Sequence, residues 1–161
     1  MRTRAKVTSV LTAAGTALLL GIGTAPAAHA AGITVVQYQN SKTGLCLDSN
    51  AKGQVYAKVF GADNPYQQWE RAEQSGKVVL RNVQTRRCLD LTALPADNSL
   101  ETNLGCGMLW KEINSGGTFR LTFDYFGEAS EAVDSDTKGS VYTNPYGPDN
   151  PYQQWHMLRR K

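Results

Sequence analysis

The sequence predicts an all-β fold made of three repeats of about 42 residues, and three observations carry that prediction. The first is that Asn64-Pro65-Tyr66-Gln67-Gln68-Trp69 returns letter for letter as Asn150-Pro151-Tyr152-Gln153-Gln154-Trp155, 86 positions later. Upstream of each Trp the same landmarks recur: Val55-Tyr56 and Val141-Tyr142, Lys52-Gly53 and Lys138-Gly139, Asp48-Ser49 and Asp134-Ser135, with 21 residues from Asp to Trp in both copies. The second is a worn copy between them. Gly44-Leu45-Cys46-Leu47-Asp48 reappears after 42 residues as Arg86-Arg87-Cys88-Leu89-Asp90, and 20 residues further on stands Trp110. Asn40 and Thr43 likewise match Asn82 and Thr85. The third is that helix signals are nearly absent. One repeat of this size cannot bury its apolar face alone, whereas three around a pseudo-threefold axis can. The expected architecture is a β-trefoil, with repeats at about 32–74, 75–116 and 117–161.

Residues 1–30 stand apart from this pattern. Arg2, Arg4 and Lys6 precede an apolar run through Leu18-Leu19-Leu20, and Ala28-His29-Ala30 is a small-x-small cleavage site. That reads as a secretory signal peptide cut after Ala30, which makes the mature protein extracellular. The run is interrupted and short for a spanning helix, so no membrane insertion is expected. The mature segment 31–161 is long enough for one domain with its own core. Of 17 Lys+Arg, three leave with the leader, so 14 remain against 14 Asp+Glu and the net charge falls from +3 to zero. No Lys/Arg cluster is left that would suit nucleic acid.

Along the mature chain, strands are expected at Ile33–Tyr38, Leu45–Leu47, Val55–Phe60, Lys77–Leu80, Thr118–Phe123 and Val141–Thr143. Each is a short apolar or alternating run bounded by Gly, Asn, Asp or Pro. About four strands per repeat give roughly twelve, the spacing expected of a barrel or sandwich. Trp69, Trp110 and Trp155, one per repeat, are expected in the core.

Repeated Gln-x-Trp preceded by Cys-Leu-Asp resembles the ricin-B-type β-trefoil lectins, over essentially the whole mature chain. Leu-Asp-Ser-Asn, Gly-x-Val-Tyr and Tyr-Gln-x-Trp resemble more narrowly a small secreted bacterial lectin of that family with high-mannose specificity. The resemblance implies that Gln67, Gln153 and the tryptophans are structural. It places sugar at the Asp of each repeat (Asp48, Asp134), the Val-Tyr tyrosine (Tyr56, Tyr142) and the tyrosine of Tyr-Gln-x-Trp (Tyr66, Tyr152). The loop after Val-Tyr is one residue longer here, so Asp63, Asn64, Asp149 and Asn150 all stand near the position of a matching amide, Asn64 and Asn150 being chosen. The same insertion is expected to bring Phe60 and Tyr146 near the pocket. The resemblance also implies an intra-repeat disulfide, Cys88 to Cys106, which an oxidising compartment permits. Cys46 lacks a partner in its own repeat and reads as a buried small hydrophobe, with an exposed reactive thiol as the alternative.

The chemistry agrees with that assignment. A sugar presents paired hydroxyls and one C–H face, so it needs a carboxylate or amide acceptor and a ring. Asp48 with Tyr56, and Asp134 with Tyr142, supply both. Repeat two keeps Asp90 but has Glu101 at the tyrosine position, Met108-Leu109 in place of Gln-Gln and a loop about four residues shorter. Its site is expected to be lost.

Other chemistries fail. Asp134-x-Asp136-x-Lys138-Gly139 begins like a calcium loop, but its twelfth position is Pro145. A glycosidase needs two carboxylates within roughly 5–10 Å, whereas Asp48 and Asp134 belong to different lobes. His156 is the single mature histidine and sits beside Trp155, so no nucleophile–base pair assembles. No metal site and no cofactor are expected. The expectation is a non-enzymatic, multivalent glycan-binding protein, with a protein-binding trefoil or a module serving a separate glycosidase as alternatives.

Overall fold

The computed structural model describes residues 32–92, 98–125 and 128–160, so the expected signal peptide and its cleavage site lie outside the described residues. Among the described residues twelve strands form: β1 (Thr34–Asn40), β2 (Cys46–Ser49), β3 (Val55–Lys58), β4 (Trp69–Gln74), β5 (Lys77–Asn82), β6 (Cys88–Leu91), β7 (Leu100–Asn103), β8 (Lys111–Ser115), β9 (Thr118–Tyr125), β10 (Glu128–Ser135), β11 (Val141–Pro145) and β12 (Trp155–Arg159). Two 3₁₀ turns lie at Pro65–Gln67 and Pro151–Gln153. The strand expected over Val55–Phe60 stops at Lys58, because Val59 and Phe60 turn out to solvent and lose their pairing.

Six strands follow one another in a ring. β1 pairs β4 and β12, β4 pairs β5, β8 pairs β9, and β9 meets β12 at Phe119–Trp155. The ring closes between β5 and β8, where Val78 and Trp110 exchange both backbone hydrogen bonds at 2.7 and 2.9 Å. Alternation along β5 shows the cause: Val78, Leu80 and Asn82 point inward while Lys77, Val79 and Arg81 stay partly exposed.

The other three hairpins, β2–β3, β6–β7 and β10–β11, form a triangular cap on the barrel. Each reaches the next through one backbone hydrogen bond: Thr102 N to Gly53 O (2.7 Å), Thr143 N to Asn98 O (2.8 Å) and Ala57 N to Gly139 O (2.8 Å). The residues that offer the carbonyl all have positive φ: 90° at Gly53, 51° at Asn98 and 89° at Gly139. A Cβ at Gly139 would stand 2.5 Å from the Ala57 carbonyl oxygen, so glycine is required there by contact as well as by conformation. Repeat two uses Asn98, the side chain that best tolerates the left-handed region.

The core is filled in threes. Tyr38, Leu80 and Leu121 are inward-facing at equivalent positions, as are Leu47, Leu89 and Val133, and all six are fully buried. Trp69, Trp110 and Trp155 are completely buried, and each indole N–H donates to the carbonyl of the residue before the repeat's aspartate: Leu47, Leu89 and Val133, at 3.1–3.2 Å. A buried indole needs such a partner, and the arrangement locks β2, β6 and β10 onto the barrel. Cys88 and Cys106 form a disulfide, and Cys46 is buried and free, its thiol pushed up to about 11 by burial and by Asp48.

Candidate functional site

The hairpin register places the aspartate of each repeat directly across from its aromatic position: Asp48 opposite Tyr56, Asp134 opposite Tyr142, Asp90 opposite Glu101. Glu101 therefore occupies the tyrosine position of repeat two, as its sequence position suggested. All three cross-strand residues sit at the joints of the cap, where Tyr56 bridges Ser140, Tyr142 bridges Ser99 and Glu101 bridges Gln54 of the neighbouring hairpin.

In repeat one, Asp48 is 2% exposed, and its Oδ2 accepts from Asn64 Nδ2 and Gln67 Nε2, both at 3.2 Å. Its Oδ1 is buried with no hydrogen-bond partner, although the Tyr56 hydroxyl is close enough to influence the carboxyl. Burial raises the pKa of Asp48, against the lowering effect of Gln67, Lys58 and the other donors. Burial and the Asp48 charge likewise raise that of Tyr56. A pocket of about 480 Å³ opens above, lined by Asp48, Asn50, Lys52, Tyr56, Lys58, Asn64 and Tyr66 among others. Repeat three repeats the assembly. Asp134, 1% exposed, accepts at Oδ2 from Asn150 (3.0 Å), Gln153 (3.2 Å) and Asn144 (3.3 Å), under a pocket of about 280 Å³ that includes Tyr142 and Tyr152.

The supporting amides explain why Asn-Pro-Tyr-Gln recurs unchanged. Asn64 Oδ1 caps the 3₁₀ turn by accepting from Tyr66 N at 3.1 Å, with Pro65 pre-set at the first helical position. Gln67 is buried and fully engaged: Oε1 accepts from Gly61 N (2.9 Å), and Nε2 donates to Val59 O (2.9 Å) and to Asp48. Gln153 makes the same bonds to Gly147, Pro145 and Asp134. Of the four acidic or amide candidates, Asn64 and Asn150 meet the aspartates, whereas the side chain of Asp63 is 91% exposed and pairs with Arg160. Phe60 and Tyr146, expected near the pockets, are not part of their linings. Phe60 is exposed at 42%, and Tyr146 lies against the Arg120 guanidinium, 5.9 Å from its ring.

Two positioning residues were not singled out from the sequence. Gln37 on β1 is buried and donates from Nε2 to Gly61 O at 3.0 Å, and Arg120 on β9 is buried and donates to Pro148 O. Strand register makes them equivalent, each propping its repeat's site loop from behind, and the matching residue on β5 is Val79. Asn40 and Asn82 act from the following repeat, donating to the carbonyls of Tyr152 (2.6 Å) and Tyr66 (2.7 Å). The third such position is Phe123, packed edge-on against Trp110 at 5.7 Å. Polar supports thus stand behind repeats one and three and apolar ones behind repeat two. There, Asp90 already accepts from Leu91 N (2.8 Å) and Asn103 Nδ2 (2.9 Å). The signal was available as polar residues at apolar strand positions, but it becomes readable only through the register.

Among the described residues no cluster of His, Cys, Asp and Glu could hold a metal ion, and no helix is long and apolar enough to cross a membrane. Residues 27–104 match the family described as ricin-type beta-trefoil lectin domain-like. No curated protein sequence matches the chain. The designed threefold-symmetric protein ThreeFoil is similar in structure, with a TM-score of 0.67 at 20% identity over 77% of this chain and 97% of that one. So is the Macrolepiota procera ricin B-like lectin in complex with lactose, with a TM-score of 0.66 at 19% identity over 78% and 95%. The GlcNAcα1-4Gal-releasing endo-β-galactosidase from Clostridium perfringens aligns with a TM-score of 0.69 at 14% identity over 80% of this chain, which spans only 33% of that one. The family match covers a little under half of the chain, and together with the structural likenesses it shows that this chain has the β-trefoil fold and is similar to the ricin-type lectin-like domains.

Proposed function

We propose that the protein is a secreted lectin that binds glycans reversibly through repeats one and three and performs no covalent chemistry. The observation that carries this reading is an assembly built twice and dismantled once. A buried aspartate opposite a tyrosine, bridged by Asn and Gln under an open pocket, recurs in repeats one and three. Asp48 and Asp134, held by the amides of Asn64 with Gln67 and of Asn150 with Gln153, line the pockets as carboxylate acceptors for sugar hydroxyls. Tyr56 and Tyr142 offer ring surface to the C–H face of a sugar, with Tyr66 and Tyr152 on the pocket walls. The family match supports carbohydrate as the ligand class. Mannose-type glycans are the finer reading from the sequence resemblance, while a structural relative holds lactose.

The test is a glycan array on the mature protein beside its Asp48→Ala/Asp134→Ala double variant, with folding of both checked by circular dichroism. Binding by the parent and silence from the folded variant is the expected result. Silence from both proteins would move the function to a protein partner, with the repeats as scaffold. Equal binding by both would keep a lectin and reject these two sites.

A further inference from the structure

The two pockets are built on one plan but do not carry the same charge. Opposite the residue two before each aspartate (Cys46, Cys88 and Ala132), the partner strand presents Lys58 in repeat one, Asn103 in repeat two and Asn144 in repeat three. In repeats two and three this amide donates to the aspartate, at 2.9 and 3.3 Å. Lys58 breaks that pattern. It is exposed, and its Nζ lies 4.8 Å from the centroid of the Tyr56 ring, on the aromatic surface that walls the pocket. Asp48 thus lacks the amide donor that Asp90 and Asp134 receive at Oδ2, and its Oδ2 is held by Asn64 and Gln67 alone.

Neighbouring positions move the balance the same way. Lys52 lines the first pocket, whereas its counterpart Lys138 is not among the residues lining the third. Asn50, which closes the hairpin turn of repeat one by accepting from Lys52 N and Gln54 N, becomes Asp136, which closes the equivalent turn from Lys138 N and Ser140 N. The first pocket is therefore lined by one carboxylate and two ammonium groups, and the third by two carboxylates and no cation.

We infer that the pocket of repeat one selects a sugar bearing an acidic substituent (a carboxylate or sulfate), held by Lys58 and Lys52 while Asp48 accepts ring hydroxyls, and that the pocket of repeat three selects a neutral sugar. This rests on the lectin reading above and names the ligand class of each of its sites. A cation already seated on a ring face is partly desolvated and pre-placed, so an anionic group finds its partner at the mouth of the pocket without reordering the fold. In the third pocket the same group would face Asp134 and Asp136 and be repelled.

The test uses printed pairs of glycans that differ in one acidic group: galactose- and galacturonate-terminated, glucose- and glucuronate-terminated, and lactose with its sulfated form. Three proteins are compared: Asp134→Ala, which leaves repeat one; Asp48→Ala, which leaves repeat three; and Asp134→Ala/Lys58→Asn. Tyr142→Ala and Tyr56→Ala serve as second silencing variants should an aspartate exchange unfold the chain. Repeat one alone is expected to prefer the acidic member of each pair by roughly two- to fivefold per lysine at low salt. The preference should shrink as salt screens it and fall to one lysine's share with Lys58→Asn. Repeat three alone is expected to prefer the neutral member. Equal binding of both members by repeat one, or a preference undiminished by Lys58→Asn, overturns the inference and leaves the lectin reading standing. Absence of binding to every glycan by the unaltered protein overturns both.

Discussion

Burial pushes the Asp48 carboxyl above its ordinary value of 3.8, against hydrogen bonds from Gln67 and Asn64 and the Lys58 charge that pull it down. The folded chain thus holds this proton more tightly than the unfolded chain does. The corresponding stability is fully present below the unfolded pKa and is lost as pH rises through the raised folded value. Binding runs the other way, since a protonated Asp48 accepts sugar hydroxyls poorly. In Asp134→Ala, glycan binding by repeat one should fall on acidification with a midpoint above 3.8, read by calorimetric titration across pH. A midpoint at or below that value would mean Asp48 is not the acceptor. Gln37→Val, borrowing the residue that repeat two carries as Val79, tests the prop behind the site loop. It should cost about 1 kcal/mol in chemical denaturation, one hydrogen bond's worth, and weaken repeat one while sparing repeat three. Equal loss at both sites would show a global effect instead.

The hairpins depend on positive-φ residues at their tips, and the glycines there differ in what surrounds them. Gly76 has φ +74° with nothing within 4 Å of a built Cβ, while Gly139 has φ +89° and the Ala57 carbonyl oxygen at 2.5 Å. Gly76→Ala should cost about 1–2 kcal/mol from conformation alone. Gly139→Ala should cost clearly more, because the bond joining the third hairpin to the first must also give way. Similar losses in urea unfolding would remove the inter-hairpin contact from the account. The Cys88–Cys106 bridge belongs to this scale too. It closes a loop of 18 residues inside repeat two, where the polar site supports are gone. Its removal by Cys88→Ser/Cys106→Ser should cost about 3 kcal/mol and leave glycan binding by the folded protein intact. Lost binding with retained folding would place the bridge in the site.

For the whole molecule, the proposed function makes the joint action of two weak sites on one body matter more than either affinity. Shallow pockets that order a hydrated ligand retain little net binding energy. A surface that engages both sites gains roughly 10²- to 10⁴-fold in apparent affinity. Silencing either site should therefore abolish most binding to a polyvalent glycan surface, while the remaining site keeps its affinity for free oligosaccharide, measured by surface and solution titration respectively. If the two pockets differ in charge preference, the best surface carries acidic and neutral units together, and homogeneous neutral polymers bind less tightly. Tight one-to-one binding of free monosaccharide would contradict this design.

The primary sequence alone determined the all-β class, the threefold repetition, the three tryptophans as core and the positions at which Asp48 with Tyr56 and Asp134 with Tyr142 pair. Those features are local or periodic: turn residues, alternation, and identical hexapeptides that carry their own caps and buried amides. Even the equivalence of Glu101 with the tyrosines followed from counting. What the sequence left undecided depends on which strands lie side by side. Asn64 and Asn150 were separated from Asp63 and Asp149 only by the path of the inserted loop, on which Phe60 is exposed. Gln37 and Arg120 became props, and Asn40 and Asn82 became clasps on another repeat's tyrosine, only once barrel closure set the register. The charge contrast at Lys58 and Asn144 likewise required both side chains to be seen over their pockets. Periodicity encodes what each segment is, whereas non-local packing decides which side chains meet.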